Sequence, residues 1–164
     1  MYKPILFLIC LLLAAACATL TSVTTPSPAL PSAISDQEIA AAVKQAHDTL
    51  NIVREALLSS KQSRRFIGLK VRFAGEDGEF EDHWTEPVDY YNDVFTIRML
   101  DGLTLDIGLH PNQFVDVNVK EVLDWMIVES DGRLIGGYTL RLAYDHMTPD
   151  EQKEFLKVTG YVME

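Results

Sequence analysis

"VLDWMIVESDGRLIGGYTL" spans residues 122–140, and its reading decides the fold. Val122 to Glu129 is an apolar run with the character of a strand, Ser130-Asp131-Gly132-Arg133 is a turn, and Leu134-Ile135 returns. Asp124 interrupts the apolar run beside Trp125, and the return closes on Gly136-Gly137. A two-residue turn at Asp131-Gly132 pairs Ser130 with Arg133 and Ile127 with Gly136. It then sets Asp124 opposite Thr139 and Trp125 opposite Tyr138. From Tyr138 no turn signal interrupts before Met147, and Tyr138, Leu142 and His146 fall on one side, so a helix is expected to start at the glycines. A helix start carries unsatisfied N–H donors and the positive end of the dipole, and glycine lets another group come close to that backbone. Asp124 is therefore expected to act as an internal cap, accepting from the amides around Tyr138 and from the Thr139 hydroxyl. Such a cap contributes about 1 kcal/mol, more when buried. The competing reading gives the Gly136 and Gly137 amides, with Lys70 or Arg141 nearby, to an anionic ligand. Asp124 would compete with that anion for the same donors.

Working outward, Ser35-Asp36-Gln37-Glu38 is a capping box. Ile39, Val43, Ala46, Leu50, Val53 and Leu57 follow at helical spacing, which predicts one helix fraying into Ser59 to Ser63. From Arg65 the period becomes two: Ile67, Leu69, Val71 and Phe73 face one way, and Gly68, Lys70 and Arg72 the other. Asp77-Gly78 makes a turn. In the next strand Phe80, Asp82, Trp84 and Glu86 share a face and Glu81, His83 and Thr85 the opposite one, with Pro87 marking an edge or a bulge. Asp93 to Leu100 is a strand with Phe95, Ile97 and Met99 inward. Asp101-Gly102 predicts a hairpin whose return carries Leu103, Leu105 and Ile107. Val115, Val117 and Val119 alternate again. Thr148-Pro149-Asp150-Glu151 is a second capping box with proline at the first helical position, and Gly160 is a plausible stop. The sum is an α+β fold: an N-terminal amphipathic helix, an antiparallel sheet or half-closed barrel of about six strands, and C-terminal helices.

The chain has 164 residues, about one domain, and residues 35–164 are expected to form it. Residues 1–17 resemble an export signal: Lys3, an apolar run from Ile5 to Leu13 too short to span a bilayer, then Ala14-Ala15-Ala16-Cys17. The last four resemble a bacterial lipobox, with Cys17 the lipidated residue, although Ala14 stands where leucine is usual. Cleavage after Ala-Cys-Ala is the alternative. Residues 18–34, rich in Ser, Thr, Pro and Ala and free of charge, would be a semi-extended spacer. The expected location is the bacterial periplasm or outer surface, with a membrane as partner through the lipid. Cys10 and Cys17 are the only cysteines, so the mature domain would hold no disulfide and no thiol nucleophile.

The net charge of -10 argues against nucleic acid, since phosphate binding needs clustered Lys and Arg. It permits a basic protein partner or a cationic ligand. The four histidines, His47, His83, His110 and His146, make no metal-ligand spacing, and no phosphate loop or nucleophile elbow is present. Glu81 and His83 share a strand face and are weak metal candidates pending a third ligand. No cofactor is expected.

The stretches "FIGLKVRF", "EFEDHW", "LDWM" and "DGRLIGGYTLR", in this order, resemble the YegJ-like family of small exported bacterial proteins, a domain without established function. The resemblance runs from Phe66 to Met147. Lys70 matches the family's strand lysine, Glu81 and Trp84 the ends of its second motif, and Asp124, Trp125, Gly136, Gly137, Tyr138 and Thr139 match directly. Asp82 stands at the family's histidine position, with His83 one place on. No motif here establishes a reaction. The preferred expectation is an envelope-tethered binding or structural module in which Trp84, Asp124, Trp125, Gly136, Gly137, Tyr138 and Thr139 are the candidate binding residues. The alternatives are an immunity or inhibitor protein turning its acidic surface to a basic partner, and a hydrolase built on Glu81 and His83.

Overall fold

The structure is a computed structural model that describes residues 34–59 and 64–163. The expected export signal, Cys17 and nearly all of the expected spacer lie outside the described residues. In chain order the elements are α1 (Asp36–Asp48), α2 (Asn51–Leu58), β1 (Arg64–Ala74), β2 (Phe80–Tyr91), β3 (Val94–Met99), β4 (Phe114–Asn118), a 3-10 turn (Val119–Glu121), β5 (Val122–Glu129), β6 (Leu134–Gly136), α3 (Tyr138–Asp145) and α4 (Pro149–Thr159). The six strands form one open antiparallel sheet in the order β4-β3-β2-β1-β5-β6. The α+β expectation holds, and the sheet is open rather than a half-barrel. No helix among the described residues is long and apolar enough to cross a membrane.

The period-two face of β1 does what its spacing predicts. Leu69, Val71 and Phe73 join Phe95, Ile97 and Met99 of β3, Trp125 and Ile127 of β5, and Ala46, Leu50 and Val53 of the N-terminal helices in the larger core. A smaller core on the opposite face gathers Met126, Val128, Leu134 and Leu140, with Phe66, Trp84, Phe155 and Tyr161 packed against it. Both capping boxes form: the Ser35 hydroxyl accepts from Glu38 N at 3.3 Å, and the Thr148 hydroxyl from Glu151 N at 3.4 Å. Gly160 ends α4 in the left-handed conformation.

Four expectations need correction or narrowing. The single N-terminal helix is two, broken at Thr49-Leu50. The Trp125 indole N–H donates to the Ala46 carbonyl at 3.0 Å and to the Thr49 hydroxyl at 3.2 Å. Leu50 N turns to His47 O, tightening the turn, and the Thr49 hydroxyl is bonded to the Tyr138 hydroxyl at 2.9 Å. Second, no strand follows Asp101-Gly102. Glu81 takes up Thr104 N, Leu105 N and the Thr104 hydroxyl, so these amides are held by a side chain and not by a neighbouring strand. Leu103, Ile107 and Leu109 still pack on the core, so the alternation reported burial without a ladder. The return strand is β4, and it pairs Val117 with Phe95. Val119, expected to continue its alternation, opens the 3-10 turn. Third, of the two readings of Pro87 the bulge is the one seen: it lies at a register shift against β3, where the pairing of β2 with β1 has already ended at Thr85. Fourth, the 129–133 hairpin has a three-residue loop. Glu129 N bonds Arg133 O at 3.0 Å, and Gly132, at φ 91°, bonds Glu129 O. The ladder therefore pairs Ile127 with Ile135 and Met126 with Gly136, one step from the expected register.

A bulge in β5 sets up everything near Asp124. Lys70 pairs with Asp124 but Val71 with Val122, leaving Leu123 as the extra residue. The alternation flips there, which is why Val122 and Trp125, an odd number of residues apart, enter the same core. Gly136, at φ 72°, lies under Trp125: a Cβ would sit 2.5 Å from the Trp125 carbonyl oxygen and 2.7 Å from two indole carbons. Gly136→Ala is expected to cost about 3 kcal/mol or more, from backbone strain plus the clash with a fully buried tryptophan. Urea denaturation of the variant checks this, and a change under 1 kcal/mol, roughly the loss for an ordinary site, would contradict it.

Candidate functional site

Helix α3 begins at Gly137, which is in the left-handed conformation and has no side chain with which to cap. Asp124 supplies the cap from the neighbouring strand. Its Oδ1 accepts from Tyr138 N at 3.0 Å and from Trp125 N at 2.8 Å; its Oδ2 accepts from Thr139 N at 2.7 Å and from the Thr139 hydroxyl at 2.8 Å. The carboxylate is fully buried. Burial pushes its pKa up, while the bonds from Thr139, Trp125 and Tyr138 pull it back. The structure thus joins Asp124, Trp125, Gly136, Gly137, Tyr138 and Thr139 into one constellation, held together internally. Gly137 N is bonded to the Trp125 carbonyl at 2.7 Å, and the Tyr138 ring meets the indole edge-on at 5.9 Å. The amides at this helix start are occupied by Asp124, so an anion has no vacant donors there.

Trp84 stands apart from this group. It lies half-buried against the smaller core, whereas Trp125 lies in the larger one. The two tryptophans therefore belong to different cores. Trp84 is instead the register partner of Lys70, whose other partner is Asp124.

Lys70 is the unusual residue. It is only 8% exposed, yet its ammonium makes no hydrogen bond or ion pair with any described residue. Both nearby carboxylates are engaged by other donors. Asp82 is held by Arg72, with Nε at 2.7 Å from Oδ1 and Nη2 at 2.9 Å from Oδ2, and Asp124 is filled by its four donors. Burial holds the Lys70 pKa below the ordinary lysine value; Asp82 and Asp124 pull it up and Arg72 pushes it down. Lys70 lines a cavity of about 380 Å³ together with Arg72, Asp82, Leu123, Thr139 and the α1 residues Asp36, Ile39, Ala40 and Val43. The apolar stripe of α1 therefore has two uses. Its later half, Ala46 and Leu50, is buried in the core, and its earlier half, Ile39 and Val43, faces the cavity. Sequence reasoning singled out Lys70 but missed the α1 wall and Leu123. A stripe residue over a cavity has the same spacing as one over a core.

Glu81 and His83 do come close, with Oε1 and Nδ1 3.6 Å apart. The other Glu81 oxygen is the anchor for the Thr104–Leu105 loop, and its pKa is lowered: those hydrogen bonds and His83 outweigh the opposing effect of burial. Among the described residues no group of three or more His, Cys, Asp or Glu side chains is placed to hold a metal ion.

These features define an α+β domain of helices flanking one open antiparallel sheet, with a strand aspartate capping the following helix and a buried lysine lining a cavity. The chain belongs to DUF2314, described as an uncharacterized protein conserved in bacteria, which it matches over residues 36–162. The match takes in α1 and α4 as well as the sheet. No curated protein and no solved structure matches the chain.

Two stability measurements separate the roles of the paired strand residues. Asp124→Ala leaves buried donors without an acceptor and is expected to cost about 3 kcal/mol or more in urea denaturation. Lys70→Met is expected to gain stability at neutral pH, by about 1 kcal/mol or more, because it removes a buried unpaired charge while keeping its volume. The pH dependence has a fixed sign. Below the depressed folded pKa both folded and unfolded chains carry the Lys70 proton, so the burial penalty is complete there. As pH rises through the depressed folded pKa toward the ordinary 10.5, the folded side chain releases its proton first and the penalty falls. The stability gap between Lys70→Met and the native chain should therefore narrow on the alkaline side. A gap constant with pH would contradict the assignment.

Proposed function

We propose that this protein is a small-molecule binding module of the bacterial cell envelope, tethered through a lipidated Cys17 and the spacer at residues 18–34. The observation that carries the binding reading is Lys70. Lys70 is only 8% exposed and has no bonded partner among the described residues, and it borders a cavity within the size range of ligand sites, roughly 300–1,000 Å³. Asp124, Trp125, Gly136, Gly137, Tyr138 and Thr139 shape that site from behind, by fixing where α3 starts and where Thr139 and Leu123 stand. Trp84 flanks Lys70 in the sheet, and Thr139 is the candidate that lines the cavity. Within DUF2314, the agreement at Lys70, Glu81, Trp84, Asp124, Trp125 and the Gly-Gly-Tyr-Thr segment supports a place among the YegJ-like proteins.

The membership of a bacterial family and the signal-like first residues support the tether. Intact mass of the native protein recovered from bacterial membranes is expected to show a mature chain starting at Cys17 with acyl mass, and Cys17→Ala should lose the membrane fraction. A mature native chain without acyl mass would remove the tether. For binding, a mixed library of neutral, cationic and anionic fragments is expected to shift the amide NMR signals of Lys70, Leu123 and Thr139. If no fragment moves them, the binding reading fails.

A further inference from the structure

We infer that the Lys70 cavity takes a small monocarboxylate with an apolar body, its carboxylate on the Lys70 ammonium and its hydrocarbon against Ile39, Ala40, Val43 and Leu123. This rests on the binding reading above and names the ligand's class. The three N–H donors of Lys70 have no acceptor among the described residues, and the two nearby carboxylates are directed to other donors. Water or a ligand in the cavity is then the acceptor. An anionic oxygen offsets a desolvated ammonium better than a neutral one, because charge-assisted bonds are roughly twice as strong.

The surrounding charges do not oppose an anion. Arg72 and Asp82 neutralise each other in a two-bond pair, and the Asp124 carboxylate is engaged by four donors of its own. Asp36 also lines the cavity, but it is exposed on the first turn of α1, where solvent and salt screen its charge. An aliphatic wall on one side and polar groups on the other make a site that fixes a ligand's head and accepts its tail loosely. Four of the cavity's nine lining residues are Ile39, Ala40, Val43 and Leu123, and Lys70 is the cation among them without a bonded partner. The volume of about 380 Å³ lies at the small end for ligand sites, which limits the tail to a short chain or a single ring.

Octanoate is the probe, titrated into the full-length protein by calorimetry and amide NMR at neutral pH, beside octanamide and octylamine. Octanoate is expected to bind with shifts at Lys70, Leu123 and Thr139, at least about tenfold tighter than octanamide, and octylamine is expected not to bind. Binding should take up protons from buffer on the alkaline side of neutrality, since a bound carboxylate raises the lysine pKa. Lys70→Met, checked for folding by circular dichroism and melting, should lose at least about tenfold in octanoate affinity, and Lys70→Arg should keep part of it. Octanoate binding unchanged in Lys70→Met, or octanamide binding as tightly as octanoate, would overturn the carboxylate assignment. Neutral or cationic fragments shifting the same signals while octanoate does not would overturn the ligand class and leave the binding reading standing. Silence from every fragment removes both.

Discussion

The Asp124 carboxylate is the constraint on which the rest of the structure depends. It sits on a strand, is fully buried, and holds both amides and the hydroxyl that open the next helix. Helix α3 starts at a glycine that has nothing of its own to offer as a cap. The strand-to-helix junction is therefore stabilised across the chain and not within it. Removing water from this carboxylate is costly, and the four donors recover that cost only while the junction keeps its shape. That couples the bulge at Leu123, the close approach of Gly136 to Trp125 and the start of α3 into one cooperative unit.

Trp125 extends the unit to the other layer. Its indole N–H reaches the Ala46 carbonyl and the Thr49 hydroxyl, and this breaks the N-terminal helix in two. The break lets α1 and α2 take separate directions over the sheet. Through it, the earlier turns of α1 are positioned over Lys70 and Leu123 while the later turns close the core. The cavity is thus a product of the same tryptophan that fills the core. Lys70, mostly buried and without a bonded partner among the described residues, works against the fold, and a group maintained at that cost fits a site better than a scaffold.

Much of this was legible in the sequence. The alternation of Ile67, Leu69, Val71 and Phe73, the two capping boxes and the Asp124–Tyr138–Thr139 cap all follow from local spacing and turn chemistry. The Asp124 cap was reached despite a register off by one, because the chain leaves the sheet at Gly136 and the helix amides swing over the carboxylate. What escaped was set by distant groups. The break at Thr49 is caused by a tryptophan 79 residues away from Ala46. The segment after Gly102 reads as a strand because its side chains alternate in burial, but a carboxylate from β2 holds its amides. The α1 wall of the cavity looked like core because helical spacing reports an apolar face and not what lies opposite it.

The two margins of the sheet are left in different conditions. Beyond β6, the chain's last described residues lie alongside: Leu134 N bonds Val162 O at 3.2 Å, and Val162 N bonds Gly132 O at 2.9 Å. A three-residue strand too short to protect itself is thereby sheathed by the tail. β4 has no such sheath among the described residues; it is five residues long, carries Asp116, and exposes Phe114. Strand addition from a second molecule, which needs an open row of backbone groups, is thus steered toward one flank only, and there shortness and a negative charge discourage it. A protein crowded among its copies would owe its resistance to fibrous stacking to these two small safeguards.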